Sequence, residues 1–445
     1  MYGRCVGTLA CVRWPHVNGH HGSRGAKDGV PSNVALMSAE VIAAIIAGVL
    51  TVAGTLAAQF FGLRATRKDT KEKLQEQRNQ LDTTLRDQNK QLDKTLQEQR
   101  HELERTLAEQ RTRTLNERFA TAADKLGGDK PPAVRLAGVY ALAGLADDWE
   151  ENRQTCVDVL CAYLRMPYKP DPGQDAPEPE RLTFQADREV RHTVIRVITA
   201  HLKDGAAKSW QGLNYDFTGV VFDGGDFTSA QFSGGTVYFT SAQFSGGWIN
   251  FNGAKFSGGT VDFDYAKFSG GTVSFTGAQF SGGTVRFFAA QFSGGKHSFT
   301  GAQFSGGTVY FGAAEFSGAE VSFSGAVVSR DGVDFRGAEF SGGTVWFESA
   351  EFSGGTALFG MAKFSGSKVD FSNAKFSSST VDFRSTVFSG GTFSFRWAEF
   401  SGGKVDFSSA KFSGGAVDFS GAGDWRFPPA FPWTDTPPPY VKLPK

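Results

Sequence analysis

The sequence predicts a mainly β fold, in which a long repeat domain follows a membrane segment, a helical rod and a small helical region. Three observations lead to this prediction. A Phe-rich unit such as AKFSGGTVDF, residues 254–263, returns as a 12-residue repeat over almost half of the chain. An uncharged apolar stretch and a charged stretch free of Gly and Pro precede it. The 445 residues leave room for two or three domains, and a formal net charge of zero disfavours strongly charged partners.

The apolar stretch begins at Val41 and ends at Leu63. It carries no charged residue, and about 20 apolar residues span the core of a bilayer. We therefore expect residues 38–63 to form a transmembrane helix that binds the lipid bilayer. A signal peptide and a buried core helix are the alternatives, but no small-residue cleavage site follows. Residues 1–37 are expected to be a disordered leader or the result of a start assigned too early.

Positive charge flanks the apolar stretch on its C-terminal side, where residues 64–73 read RATRKDTKEK. Such segments stay in the cytoplasm. We therefore expect a single-pass protein whose large C-terminal part is cytoplasmic. The leader also carries basic residues, among them Arg4, Arg13 and Arg24. If the leader is translated, positive charge lies on both sides of the apolar stretch and the prediction of the orientation has less support.

Residues 64–118 are charged and Gln-rich, and they predict a helical rod. From Leu81 the leucines are spaced by 4, 7, 4, 7 and 4 residues, which is an 11-residue repeat with about 3.67 residues per turn. At 1.5 Å per residue the rod would be roughly 80 Å long. The narrow leucine stripe predicts a parallel homo-oligomeric coiled coil, because a membrane anchor aligns neighbouring copies. A single solvated helix with internal ion pairs is the alternative.

Gly and Pro residues between 127 and 132 interrupt the rod pattern and introduce a helical adaptor at residues 119–209. Its helices carry apolar faces, as in VRLAGVYALAGLA, and a Pro-rich linker at residues 167–181 separates them. Cys156 and Cys161 fall in a predicted helix, where buried thiols are expected and a disulfide or metal site is the alternative. We expect the adaptor to cover the open end of the repeat domain.

The lead-in to the repeats reads YDFTGVVFDGGDFTSAQF, in which the phenylalanines are spaced by five. This pattern resembles the pentapeptide-repeat family, whose unit is A-x-[L/F]-x-x. The resemblance covers residues 210–422, about sixteen 12-residue units, and it implies a right-handed, four-sided β-helix. The order of apolar span, charged rod, adaptor and repeats also resembles bacterial membrane-anchored members of the family. It therefore implies a location in a bacterial cell membrane.

Each 12-residue unit contains two pentapeptides and a two-residue insert. A coil made of one such unit would have sides near 10 Å at about 3.3 Å per residue, and two inward Phe side chains with Ala and Val would overfill it. A 24-residue coil, with one Phe and one small residue on each of four faces, fits better. With a lead-in coil, about nine coils are expected at ~4.8 Å each. Residues 423–445 are rich in Pro and aromatic residues and predict a cap or tail.

The outward positions of the repeat carry mixed charges, which predicts a solvated wall. Tyr238, Tyr310 and Trp346 are exceptions, and exposed aromatic residues are enriched where proteins bind each other. Arg330 and Asp331 replace the Gly-rich insert in the irregular unit SGAVVSRDGVDF, which indicates either local drift or a contact with a partner. These five residues are the candidate partner-binding surface.

The combination predicts a membrane-anchored, non-enzymatic scaffold whose rigid solenoid binds an unidentified protein. The repeat aspartates have no His or Lys beside them, and neither a Ser-His-Asp nor a metal-ligand spacing occurs. We therefore expect no catalytic residue, cofactor, metal or small-molecule substrate. The alternative, implied by the resemblance to some soluble members, is a DNA mimic that protects a type II topoisomerase. Mixed wall charge and a membrane tether disfavour that alternative and a nucleic-acid partner.

Overall fold

The computed structural model describes residue 50 and residues 69–127, 129–169 and 171–445. The chain divides into two compact units, Met1–Leu103 and Glu104–Lys445. The leader and the predicted membrane helix lie outside the described residues, apart from Leu50. Among the residues that are described, none of the helices is both long and apolar enough to cross a membrane.

From residue 69 on, the described residues form four α-helices and one short 3-10 helix before the repeat domain. They are α1 (Asp69–Leu126), α2 (Pro132–Asp148), the 3-10 helix Glu150–Asn152, α3 (Arg153–Arg165) and α4 (Glu178–Leu202). Helix α1 continues beyond residue 118, where the rod was predicted to end, and stops before Gly127. Exposed ion pairs at i,i+4 spacing, such as Arg105–Glu109 at 2.9 Å, support α1 from within.

The helices after residue 104 share a buried apolar core that contains Leu142, Leu145 and Leu160. Gly138 allows α2 to pack closely on the end of α1, because a Cβ atom there would lie 2.8 Å from the Leu126 nitrogen. Cys156 and Cys161 lie in this core as free thiols. Burial raises their pKa values to about 11 and about 12.

Thirty short strands follow the helices. In chain order they are β1 (Tyr215–Asp216), β2 (Val221–Phe222), β3 (Gly225–Asp226), β4 (Gln231–Tyr238), β5 (Gln243–Phe244), β6 (Trp248–Asn250), β7 (Lys255–Asp262), β8 (Lys267–Phe268), β9 (Thr272–Ser274), β10 (Gln279–Arg286), β11 (Gln291–Phe292), β12 (Lys296–Ser298), β13 (Gln303–Tyr310), β14 (Glu315–Phe316), β15 (Glu320–Ser322), β16 (Val327–Val328), β17 (Gly332–Asp334), β18 (Glu339–Phe340), β19 (Thr344–Trp346), β20 (Glu351–Phe352), β21 (Thr356–Leu358), β22 (Lys363–Phe364), β23 (Lys368–Asp370), β24 (Lys375–Phe376), β25 (Thr380–Asp382), β26 (Val387–Ser394), β27 (Glu399–Phe400), β28 (Lys404–Asp406), β29 (Lys411–Asp418) and β30 (Val441–Lys442).

The strands pair in parallel and form a 13-stranded and a 17-stranded sheet that belong to one solenoid. Lys255 pairs with Gln279, and Gln279 pairs with Gln303, so each coil spans two of the 12-residue units. The prediction of a 24-residue coil is therefore confirmed. The solenoid makes about ten turns from residue 215 on, whereas about nine were predicted.

Four rows of Phe side chains fill the interior of the solenoid. Within a row, rings of successive coils stack at short distances, for example 4.6 Å between the Phe239 and Phe263 centroids. Neighbouring rows meet edge to face, as Phe251 and Phe263 do at 84°. Both arrangements suit the ring quadrupole. Contacts between the rings of successive coils therefore form the aromatic core of the solenoid.

The helices cover the first coil. Arg165 donates to the Asp216 carbonyl oxygen at 2.6 Å, and the Thr199 hydroxyl donates to the Asp226 carbonyl oxygen at 2.8 Å. At the other end, Phe431 stacks on Phe407 with centroids 5.7 Å apart. Trp425 and Trp433 also lie on the last rings, through edge contacts with Phe400 and Phe412.

Three inward positions depart from the regular pattern. Val328 interrupts one Phe row between Phe304 and Phe352, and it is buried. His297 and Phe393 occupy positions that hold Val in the neighbouring coils. The solenoid therefore accepts a smaller, a polar and a larger side chain without a change of register.

Candidate interaction surface

Tyr238 and Tyr310 occupy equivalent positions in two coils. Tyr238 ends β4 and pairs with Asp262, and Tyr310 ends β13 and pairs with Arg286 and Asp334. Their side chains are 41% and 36% exposed. The structure therefore places these two predicted residues in one column of the wall, three coils apart.

Acidic residues in this column cap the turn that follows. Asp262 accepts a hydrogen bond from the Asp264 N–H at 2.8 Å, and Asp334 accepts one from the Arg336 N–H at 2.9 Å. Such a bond from residue i+2 stabilises the turn. A tyrosine ring cannot accept it in the same way, so turn stability does not explain the aromatic residues of this column.

Tyr265 and Phe288 add two exposed aromatic side chains at the same turn. They are 53% and 41% exposed, and their rings meet edge to face with centroids 6.0 Å apart. Beside this turn, four consecutive coils thus carry one exposed aromatic side chain each. We call this set the aromatic edge: Tyr238, Tyr265, Phe288 and Tyr310.

Sequence reasoning missed half of the aromatic edge because it considered only outward positions directly before each Phe. A signal was present in RFFAAQF, where Phe288 directly follows the row residue Phe287. Adjacent Phe residues in a strand-like repeat cannot both point inward. The second Phe was therefore identifiable as an outward residue.

One ion pair lies next to the aromatic edge. The Arg286 guanidinium forms an ion pair with the Asp264 carboxylate, which also accepts the Phe288 N–H at 2.9 Å. Burial, with the neighbouring Asp262 carboxylate, raises the pKa of Asp264. The wall here offers aromatic rings beside one ion pair and the Asp262 carboxylate.

Arg330 and Asp331 form a corner between β16 and β17, in the same sheet as Tyr310. The Asp331 carboxylate accepts the Gly307 N–H at 2.7 Å, and its carbonyl oxygen accepts the Thr356 N–H at 3.0 Å. Asp331 therefore links three successive coils. Arg330 is exposed.

Trp346 lies apart from the other predicted residues. It ends β19 in the 17-stranded sheet, half a coil along the chain from the Tyr310 column, and it pairs with Ser322 and Asp370. Its side chain is half-buried. The five predicted residues therefore do not form one patch.

In the coils that carry the aromatic edge, the turn half a coil away is polar. Thr276 and Ser298 share a hydrogen bond at 3.0 Å, and Thr300 and Ser322 share one at 2.9 Å. The hydroxyls here bond to one another from coil to coil. This edge gives a matched contrast to the aromatic edge on the same solenoid.

Comparison with known protein families supports the repeat assignment. Residues 217–261 match the family model of pentapeptide repeats (9 copies). The chain is a pentapeptide-repeat protein. Searches of curated proteins and of solved structures gave no match. The Phe rows continue to Phe419, so the pentapeptide-repeat domain extends well beyond the matched residues.

The pentapeptide-repeat domain meets the helices at a cleft of about 940 Å³ that is lined by Tyr168, Arg188 and Asp223. The Asp223 carboxylate accepts from the Tyr168 hydroxyl at 2.8 Å and from Arg188 Nε at 3.0 Å, and it lies 3.0 Å from His192 Nε2. Burial would raise the pKa of Asp223, but the hydrogen bonds from His192 and Tyr168 lower it. The Asp223 carboxylate therefore links the helical region to the first coil of the solenoid.

The acidic side chains of the pentapeptide-repeat wall make local contacts. Within the described ranges, no group of three or more His, Cys, Asp or Glu residues is placed to hold a metal ion. The aspartates of the wall cap turns or pair with basic side chains, as Asp334 does with Arg336 at 2.6 Å and Asp406 with Lys404 at 2.8 Å. The expectation that no Lys lies beside a repeat aspartate is therefore wrong for Asp406, because a lysine two residues before it in the same strand lies on the same face. What the wall offers chemically is an exposed aromatic surface.

Proposed function

We propose that this pentapeptide-repeat protein is a non-enzymatic scaffold that binds a protein partner through its aromatic edge. The observation that carries the proposal is the succession of four exposed aromatic side chains on four consecutive coils. Tyr and other aromatic residues are over-represented among the residues that dominate binding energy. Their number and spacing suit an apolar surface of the partner.

Rigidity supports this role. The aromatic residues project from turns whose neighbours are fixed by backbone hydrogen bonds between coils, such as Phe263 N to Arg286 O at 2.7 Å. A surface that is already ordered loses little conformational entropy on binding. The ion pair between Arg286 and Asp264 lowers the net charge of this surface, which favours an apolar contact and gives little support to the alternative of a DNA mimic.

Site-specific photocrosslinking in cells tests the proposal. A benzophenone amino acid replaces Phe288 on the aromatic edge or Thr276, which is exposed half a coil away. We expect a discrete protein adduct from position 288 and none of that mass from position 276. The substitution Tyr265→Ser should reduce the adduct severalfold. No adduct from position 288, or the same adducts from both positions, would contradict the proposal.

Membrane anchoring through Val41 to Leu63 is a separate part of the proposal. Its support is the absence of charge over this whole range and the basic segment that follows. Protease treatment of sealed vesicles that carry the full chain, read with an antibody to the C-terminus, tests it. We expect carbonate-resistant membrane association and a C-terminal domain protected until detergent is added. Release of the protein by carbonate would exclude the anchor. Digestion of the C-terminal domain without detergent would show that the orientation is the opposite of the predicted one.

A further inference from the structure

Helix α1 exposes a stripe of leucines. Between residues 81 and 103 these leucines recur at spacings of 4 and 7 residues. Leu85, Leu92, Leu96 and Leu103 are 38%, 37%, 44% and 60% exposed. Large aliphatic side chains gain about 1.5–3 kcal/mol each on full burial. A stripe that recurs this regularly on a polar helix is typical of a surface that another helix covers.

The stripe belongs to a sequence repeat that is stricter than leucine spacing alone. Residues 81–91, 92–102 and 103–113 all have Leu at the first and fifth positions, Thr at the fourth and Gln at the eighth. With about 3.67 residues per turn, the first, fifth and eighth positions fall within about 70° around the helix axis. Each copy of the repeat thus places two leucines and one glutamine on the same narrow face.

The threonines beside the stripe have their hydroxyls satisfied within the helix. Thr84 Oγ1 donates to the Gln80 carbonyl oxygen at 2.8 Å, and Thr95 Oγ1 donates to the Gln91 carbonyl oxygen at 2.9 Å. The hydroxyls therefore turn back to the backbone and need no outside partner. The side chains can extend the apolar seam with their methyl groups.

Charge favours a parallel pair. Arg100, at the ninth position, flanks the stripe on one side, and Glu102, at the eleventh position of the same copy, flanks it on the other side. In a parallel pair Arg100 of one helix faces the side of the other helix that carries Glu102. An antiparallel pair would bring the ninth positions of both helices together, arginine against arginine, which is unfavourable.

We propose that α1 binds other copies of this chain in a parallel, in-register coiled coil through Leu81, Leu85, Leu92, Leu96 and Leu103. Glutamines at the eighth position, Gln88 and Gln99 among them, meet their counterparts across the seam and set the register, as single polar core residues do in other coiled coils. The proposal does not depend on the aromatic edge. It makes the protein multivalent, because each copy carries its own solenoid.

Cysteine crosslinking of the full chain tests the proposal. Cys5 and Cys11 are replaced by Ser, and the buried Cys156 and Cys161 are retained. Gln88→Cys and Gln99→Cys are compared with Lys90→Cys and Lys94→Cys, which lie on the opposite side of the helix. Under mild oxidation we expect covalent dimers from positions 88 and 99, at least tenfold more than from positions 90 and 94.

Two outcomes would overturn the proposal: no dimer from either glutamine position, or equal dimer from all four positions. An antiparallel pair could crosslink at one glutamine position near its centre but not at both. As a second measurement, Leu92→Gln with Leu96→Gln retains helix propensity and should lower the mass measured by light scattering from a multiple of the chain to the monomer. A monomeric mass for the unaltered chain would also contradict it.

Discussion

The Nε2–H group of His297 donates a hydrogen bond to the Gly294 carbonyl oxygen at 2.8 Å. The imidazole is buried inside the solenoid and lies edge-on to Phe268 and Phe292, with centroids 5.4 and 5.6 Å away. In this tautomer Nδ1 is an acceptor, and it has no hydrogen-bond partner within the part of the chain that the structure describes. Burial lowers the pKa of His297 from 6.5 to about 4.

His297 should therefore make the solenoid sensitive to acid. Above pH 6.5 the histidine is neutral in both the folded and the unfolded chain. As the pH falls from 6.5 toward 4, the unfolded chain binds a proton that the folded chain excludes, so the free energy of unfolding decreases. A difference of about 2.5 in pKa corresponds to about 3 kcal/mol, lost in full below pH 4. Denaturant unfolding at pH 7.5 and pH 4.5 measures it.

His297→Val is the matched control, because Val273 and Val321 occupy the same position in the adjacent coils. The variant should be as stable as the unaltered chain at pH 7.5 or more stable, since the unsatisfied Nδ1 is removed. Between pH 7.5 and 4.5 it should lose about 2 to 3 kcal/mol less than the unaltered chain. Equal acid losses in the two proteins would show that carboxylates alone cause the effect.

The adjacent residues Phe287 and Phe288 should differ sharply in their contribution to stability. Phe287 is buried and stacks on Phe263 and Phe311 with centroids 4.6 Å away on both sides. Phe287→Ala should lower the free energy of unfolding by about 3–5 kcal/mol, as large core truncations do. Phe288→Ala removes an outward ring and should cost less than about 1 kcal/mol. Comparable losses would contradict the assignment of inward and outward positions.

Two glycines with the same backbone conformation should respond differently to Ala. Gly259 and Gly277 have φ values of 69° and 65°. A Cβ atom at Gly259 would lie 2.1 Å from the Gly235 carbonyl oxygen of the preceding coil, whereas one at Gly277 would meet nothing within 4 Å. Gly277→Ala should cost about 1–2 kcal/mol from the left-handed backbone alone. Gly259→Ala should cost about 1–3 kcal/mol more, because backbone must move. Thermal unfolding of both variants measures the two losses, and equal losses would contradict the prediction.

Periodicity made the repeat domain predictable from the sequence. The 24-residue coil followed from the volume of two Phe side chains, and the pairing of Lys255 with Gln279 bears this out. The same argument could not find the junction, because Tyr168 and Asp223 are 55 residues apart and belong to no repeat. The aromatic edge was found only in part, since its members occupy three different positions of the repeat.

Asp223 should hold the helices on the first coil. Its carboxylate accepts from Tyr168 and Arg188, and His192 lies at hydrogen-bond distance. Asp223→Ala would leave these donors without their acceptor. The free energy of unfolding should fall by about 2–3 kcal/mol, because the Arg188 guanidinium is charged and partly buried. Asp226 provides the control, since among the described residues its exposed carboxylate accepts only the Thr228 N–H, at 2.9 Å. Hydrogen–deuterium exchange should show at least tenfold faster exchange in α4 and β2 for Asp223→Ala and little change for Asp226→Ala. Unchanged protection of α4 in both variants would show that apolar packing alone holds the junction.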